Sequence, residues 1–250
     1  VEEARRRPYL GVVRFSVWRT WPYTMRSRQT VHFPIAIEGL PYVLLILAVS
    51  IVLALLNLHI VAALAFVASV FVAAFFRDPN REVQAKDEHV VSPADGKVIA
   101  VSEVAPSHAG DKPGTKVCIF MSLFNCHINR SPITGGVTSV QHTPGRFLAA
   151  FNQRASEVNE RTNIELVDTL GDTFSCVQVA GIVARRIVCR IKQGDRVRAG
   201  QRIGMIKFGS RVDVLVPSTY EVLVKAGDRV KAGVDAIGRR RVLTQEHVTG

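Results

Sequence analysis

The 250-residue sequence has no charged side chain between positions 40 and 76, and within that stretch only Asn57 and His59 resist burial in lipid. Few soluble helices lack a polar face over such a length, so the gap in charge argues against one uniform globule. Aromatic residues are also scarce, at 7%, and lie mostly in or beside apolar segments. A nucleic-acid surface would combine a compact basic stripe with exposed aromatics, so that class of partner is set aside. The four cysteines, Cys118, Cys126, Cys176 and Cys189, form no CxxC pair and no zinc-ligand spacing. Their neighbours are apolar, which predicts buried, reduced thiols in a cytosol-facing domain, with no disulfide framework and no metal site. A secretory signal is missing as well, because the apolar stretch starts late and no small-residue cleavage site follows it.

What the chain does have is positive charge, a net +11. Basic residues flank the apolar stretch on both sides, so anionic lipid headgroups fit this charge best. Residues 1–32 carry seven arginines with Trp18, Trp21, Tyr9 and Tyr23, a mixture suited to a membrane interface; a basic tail is the plainer alternative. Two apolar runs follow, 40–56 and 60–76, each about 26 Å long as helix, near the lower limit for a hydrocarbon core of about 30 Å. Only Asn57, Leu58 and His59 separate them. Arg26 and Arg28 before the first run, and Arg77 and Arg81 after the second, predict a helical hairpin with both ends in the cytoplasm. A hairpin lying within one leaflet and a buried pair of core helices are the competing arrangements. The expected organisation is an interfacial segment at 1–32, a hydrophobic anchor at 33–80 and a catalytic domain at 81–250.

From residue 88 short β-branched runs alternate with Gly, Pro and Asp, which predicts a mostly antiparallel β domain. One helical interruption is expected at 146–161, where apolar residues fall at helical spacing. GDRVRAG (194–200) recurs as GDRVKAG (227–233), as two equivalent hairpins of a barrel-like sandwich would share. The fold class is thus α+β, mainly β: an antiparallel barrel-sandwich resembling lipoyl/biotinyl hybrid barrels, with an N-terminal hydrophobic hairpin. A swinging-arm carrier would need a lysine at a hairpin tip, and none is evident.

The most informative segment is IKFGSRVDVLVP (206–217), a Gly-Ser pair between two strand-like runs. Alone it reads as a turn. Upstream, however, stand FFRDPNR (75–81), SPADGKV (92–98), MSLFNCHINRSP (121–132), HTPGRF (142–147) and NER (159–161), in that order. With these motifs the chain resembles the phosphatidylserine decarboxylase family in its short bacterial and archaeal form, from residue 33 to about 236. The resemblance implies a membrane-bound zymogen that cuts itself at Gly209–Ser210 into subunits 1–209 and 210–250. Ser210 would become a covalent pyruvoyl group, the cofactor that forms a Schiff base with phosphatidylserine and yields phosphatidylethanolamine and CO2. It also implies a homodimer and an inner-membrane location with the catalytic domain facing the cytoplasm.

The chemistry can be argued from residue types. A serine hydroxyl attacking the preceding carbonyl needs a backbone that bends, which glycine permits, and a base, for which His127 is the candidate. Asp95 would orient or charge-stabilise that imidazole. Arg130 stands where longer bacterial members carry a second histidine, so His127 serves both steps or another group, such as His142, replaces the missing one. Arg211, where many members have a small hydroxyl residue, does not enter this chemistry. For the substrate phosphodiester, Arg130, Arg146 and Arg161 lie in matching motifs, with His142 nearby and backbone N–H groups around Gly145. Two other readings stay open: a pyruvoyl decarboxylase of another substrate such as archaetidylserine, and a membrane-anchored binding module in which Gly-Ser is only a turn.

Overall fold

A computed structural model describes residues 34–83, 88–105, 113–150, 155–181, 186–207 and 209–241. The basic, aromatic segment at 1–32 lies outside the described residues. The two apolar runs form helices α1 (Leu40–Leu55) and α2 (His59–Phe75), joined by a turn in which Asn57 takes a left-handed φ of 62°. They pack as an antiparallel hairpin. Ser50 Oγ donates to the carbonyl of Ala62 at 2.8 Å and Ser69 Oγ to that of Val43 at 3.3 Å, so the two buried hydroxyls find partners without water. By length and composition the helix over Ile37–Leu55 could cross a membrane, whereas α2, at 17 residues, is shorter.

The β domain begins with β1 (His89–Val91), β2 (Gly96–Val104), β3 (Gly114–Met121), β4 (Ile128–Arg130) and β5 (Gly135–Thr143). One turn of helix, α3 (Ala155–Val158), precedes β6 (Arg161–Asp168) and β7 (Thr173–Val179). Then come β8 (Ile187–Cys189), β9 (Arg196–Val197), β10 (Arg202–Ile206), β11 (Ser210–Pro217), β12 (Tyr220–Val222), β13 (Arg229–Val230) and β14 (Ala236–Arg240). The described strands form an antiparallel sheet in the order β13-β2-β3-β11-β7-β6-β5-β9 and two three-stranded sheets, β1-β14-β12 and β4-β10-β8. The large sheet curls around a core that includes Val117, Ile119, Phe174, Val212 and Val214, all fully buried.

This order is palindromic, and the hydrogen bonds repeat with it. Gly227 N donates to Val98 O and Gly194 N to Val137 O, both at 2.8 Å. Ser92 Oγ donates to Ala94 O, and Ser131 Oγ to Ile133 O, both at 2.7 Å. Gly200 and Gly233, both at positive φ, abut where the two copies meet. The echo between 194–200 and 227–233 is therefore one end of an internal two-fold, and the Ser-Pro pairs at 92 and 131 are its other end.

The helix expected over 146–161 is corrected. Among the described residues of this stretch, helix is confined to Ala155–Val158. Arg146 N donates to Val158 O at 2.7 Å and Glu160 N to Arg146 O at 3.1 Å, which brings together residues that an unbroken helix would hold about 18–21 Å apart. Asn159 makes this possible. Its carboxamide accepts from Leu148 N and donates to Leu148 O and Ala180 O, taking over the pairing a helix would have supplied.

The base of the hairpin shares a core with the β domain. Phe75 and Phe76 are buried with Ala36, Cys126, Ile128 and Met205. At about 2–3 kcal/mol per buried phenylalanine, this contact holds the helices firmly on the strands that lead to β4 and β10. Of the cysteines, Cys118, Cys126 and Cys176 are buried free thiols as expected, whereas Cys189 is only half-buried.

Candidate active site

Ser210 opens β11, the strand between β3 and β7, and stands opposite Met121. Side chains alternate along a strand, so Ser210 shares the core face with Val212 and Val214, while Arg211 and Asp213 take the other face. Gly209 sits at φ 57°, a left-handed conformation that costs other residues about 1–2 kcal/mol. Its carbonyl oxygen lies so close to Gly181 that a Cβ there would overlap it. Ser210 is fully buried, and its Oγ has no hydrogen-bond partner among the described residues.

His127 is fully buried just before β4, with its ring centroid 4.2 Å from that of Phe75 at the end of α2. Its Nδ1 lies 3.0 Å from the carbonyl of Asn125. A carbonyl only accepts, so Nδ1 carries the proton and Nε2 keeps a bare lone pair. That Nε2 is a second buried atom without a partner among the described residues. Burial pushes the pKa of His127 down to about 4; the Asn125 carbonyl opposes this, Arg77 adds to it and Asp95 opposes it. The imidazole is neutral at pH 7, the state a base requires. Ser210 Oγ and His127 Nε2 are not hydrogen-bonded to each other, as is common before a reacting complex tightens.

Asp95 makes its hydrogen bonds elsewhere than to His127. Its carboxylate is paired with Arg81 at 2.5 and 2.7 Å and accepts Ala232 N at 2.8 Å. It makes no hydrogen bond to His127, whose Nδ1 is taken by Asn125, so a hydrogen-bonded Asp–His–Ser triad is not assembled. The internal two-fold gives the physical reason: Thr134 holds Ala199 N in the other copy just as Asp95 holds Ala232 N, so the position is a turn cap. Asp95 touches His127 only through its field.

Arg130 is enclosed rather than open to solvent. It is buried, donating to Gly200 O and Pro79 O at 2.9 Å each, with Asp78 at 3.7 Å. These contacts tie β4 to the segment leaving the hairpin and leave the guanidinium enclosed in protein. The other expected substrate contacts gather at one end of the sheet, where Thr143, Arg161, Val179 and Arg211 lie in one cross-strand row. His142 and Arg146 are exposed there, and Arg161 is half-buried. His142 faces Thr162 Oγ1 at 3.2 Å and Glu160 at 3.8 Å, and the row His142, Thr162, Gln178, Val212 puts it on Ser210's face of the sheet, at the exposed edge. Gly145 passes so close to the backbone of Val158 and Asn159 that no side chain fits.

The sequence reading missed two buried amides that connect to Met121, the residue opposite Ser210. Gln178 donates through Nε2 to Asn129 Oδ1 at 2.8 Å, and Asn129 donates through Nδ2 to Met121 Sδ at 3.6 Å. A thioether only accepts, which fixes both amides and leaves Gln178 Oε1 as a third buried atom without a partner among the described residues. On the far face of β11, Asp213 accepts from Ser156 Oγ at 2.5 Å and pairs with Arg211, which also holds Ala150 O. An Asp inside VDVLV was the available signal for this brace.

The site thus holds a Gly-Ser peptide whose glycine has a left-handed φ, and a neutral buried histidine. The phosphatidylserine decarboxylase family model matches residues 68–238. The chain belongs to the phosphatidylserine decarboxylase family. It is 44% identical over 214 residues to the phosphatidylserine decarboxylase proenzyme of Geotalea uraniireducens, covering 86% of this chain and 99% of that one. It is 47% identical over 206 residues to the proenzyme of Symbiobacterium thermophilum, covering 82% and 95%. The chain is thus a decarboxylase of the phosphatidylserine decarboxylase type. A small ketone made from the serine side chain suits an enclosed position 210, and His127 Nε2 and Gln178 Oε1 are further buried polar atoms without partners among the described residues.

Proposed function

We propose that the chain matures by cutting itself between Gly209 and Ser210 and then decarboxylates phosphatidylserine at the pyruvoyl group made from Ser210. The observation that carries this reading is a buried Ser210 Oγ without a partner among the described residues, directly after a glycine at φ 57°, together with the likewise unpartnered Nε2 of the buried His127. Leaving two such atoms buried costs about 1–3 kcal/mol each, a cost that a stable turn would have no reason to carry.

His127 Nε2 takes the proton of Ser210 Oγ as that oxygen bonds to the Gly209 carbonyl carbon. The C–N bond breaks, the nitrogen receives the proton from His127, and an ester replaces the amide. Loss of the Ser210 Cα proton expels the Gly209 carboxylate and leaves a dehydroalanine with a free amine. Tautomerisation and addition of one water release ammonia and leave the ketone, so every atom is accounted for. When formed, the pyruvoyl group supplies an electrophilic carbonyl that condenses with the substrate amine and accepts the electron pair released as CO2 departs. His127 then brings a proton to the carbon that has lost CO2, and Phe75 keeps water from its ring. Arg146 and Arg161 supply positive charge to the phosphodiester at the end of the sheet. The hairpin enters the membrane, and the arginines at its outer ends keep the β domain on the cytoplasmic side.

Intact mass under denaturing conditions tests this directly. The wild-type protein should give two chains, the smaller beginning with a pyruvoyl group, and Ser210→Ala should give one uncut, inactive chain. Two chains from Ser210→Ala would refute the assignment.

A further inference from the structure

The turn from Ser122 to His127 presents two large apolar side chains at its tip. Phe124 is 76% exposed and Leu123 41%. The turn is well braced: Asn125 Oδ1 accepts from Ser122 N at 2.8 Å and from Ser122 Oγ at 2.6 Å, and Asn125 N donates to Ser122 O at 3.0 Å. A polar tip is the ordinary choice for a rigid turn facing water, so an exposed Leu-Phe pair asks for an apolar occupant.

The hairpin identifies that occupant. The ring of Phe124 meets that of Phe71 edge to face, centroids 6.5 Å apart, and Arg77 Nη2 donates to the Phe124 carbonyl at 2.7 Å. Phe71 lies one turn of α2 before Phe75, about 6 Å along the helix axis. The tip therefore reaches about one helical turn along α2 from the end that is rooted in the β domain, and its apolar surface is continuous with that of the helices. At the root stand cations, Arg77 with a second bond to Ala74 O and Lys207 lying 5.2 Å from the ring centre of Tyr42. Apolar side chains beyond a ring of cations match the layering of a bilayer, with acyl chains beyond phosphates.

We propose that the Leu123-Phe124 turn is a second membrane-inserting element, seated in the leaflet that the hairpin enters. It rests on the membrane reading of the hairpin given above. His127 is three residues from Phe124 and its ring packs at a tilt against that of Phe75, so the seated turn holds the reacting centre at headgroup depth. A phospholipid can then offer its headgroup without withdrawing its acyl chains from the bilayer.

The test places a fluorophore at the tip. In a Trp18→Phe, Trp21→Phe background, Phe124→Trp is compared with Val67→Trp on α2, using anionic vesicles whose lipids are brominated near the headgroup end of the acyl chain. Both proteins should be quenched about twofold, as expected for side chains buried roughly 5–10 Å below the surface. Quenching of Val67→Trp but not Phe124→Trp would overturn the proposal and leave the membrane-bound hairpin standing. If neither is quenched, the hairpin reading fails and the proposal fails with it. Should Phe124→Trp not fold, Leu123→Trp carries the same expectation and is refuted by the same result.

Discussion

Gly181 offers the sharpest test of the site. A Cβ built there overlaps the carbonyl oxygen of Gly209 and lies 3.0 Å from its carbonyl carbon, and the next atom, Ala150 Cβ, is 3.4 Å away. In Gly181→Ala the scissile carbonyl must retreat by more than about 1 Å to reach ordinary van der Waals contact. The backbone at 181 is not among the positive-φ glycines, so alanine is acceptable there apart from this collision. Overpacking of this kind costs about 1–3 kcal/mol, which a domain with this core survives. The chemistry is less tolerant, because a misplacement of about 1 Å in a reacting pair slows it roughly 100-fold. Cell-free synthesis followed by intact mass at intervals measures the uncut fraction with time. Gly136→Ala is the control, since a Cβ at that glycine meets nothing within 4 Å. Gly181→Ala should accumulate as one chain while Gly136→Ala is processed at the wild-type rate. Processing of Gly181→Ala at the wild-type rate would show that the position of this carbonyl does not control cleavage.

Three further outcomes are expected. His127 has its pKa lowered from 6.5 to about 4 by burial, so the unfolded chain binds the proton more readily than the folded one. Its contribution to stability is therefore intact above pH 6.5 and lost as pH falls toward 4, by about 3 kcal/mol in all; denaturant titrations should show that slope, and His127→Gln should remove it. Arg81→Ala leaves the Asp95 carboxylate buried without its ion pair, which should lower stability by about 3–5 kcal/mol in the same titration; an unchanged midpoint would mean that the pair adds nothing. Arg130→Met should cost about 3 kcal/mol, near the lower end for a broken buried pair, because Asp78 keeps Arg202 at 2.7 Å. A higher KM for the lipid without loss of stability would return Arg130 to the substrate.

The residues that stand out along the chain and those that stand out in space overlap only in part. Local rules carry the apolar hairpin, since an uncharged stretch of that length has few other destinations, and they carry the alternation of β-branched runs with turns. The Gly-Ser pair and the histidine upstream were legible because their chemistry depends on residue type. The 33-residue echo was legible as a repeat, but its Ser-Pro counterparts were not, because a two-fold becomes visible only when both copies hydrogen-bond alike. The helix expected at 146–161 failed because Asn159, a single side chain, captures three backbone groups that helical periodicity cannot weigh.

Amino-acid order by itself determined the elements, the candidate nucleophile and the anchor, because periodicity and residue chemistry act over a few neighbours. Tertiary structure decided which polar groups are left without partners. Asp95 and Arg130 look open to chemistry in a string of letters, yet distant segments bind their charges, whereas Gln178 looks ordinary and keeps an acceptor without a partner among the described residues. Burial and pairing are properties of contacts between remote parts of the chain, and only folding brings those parts together.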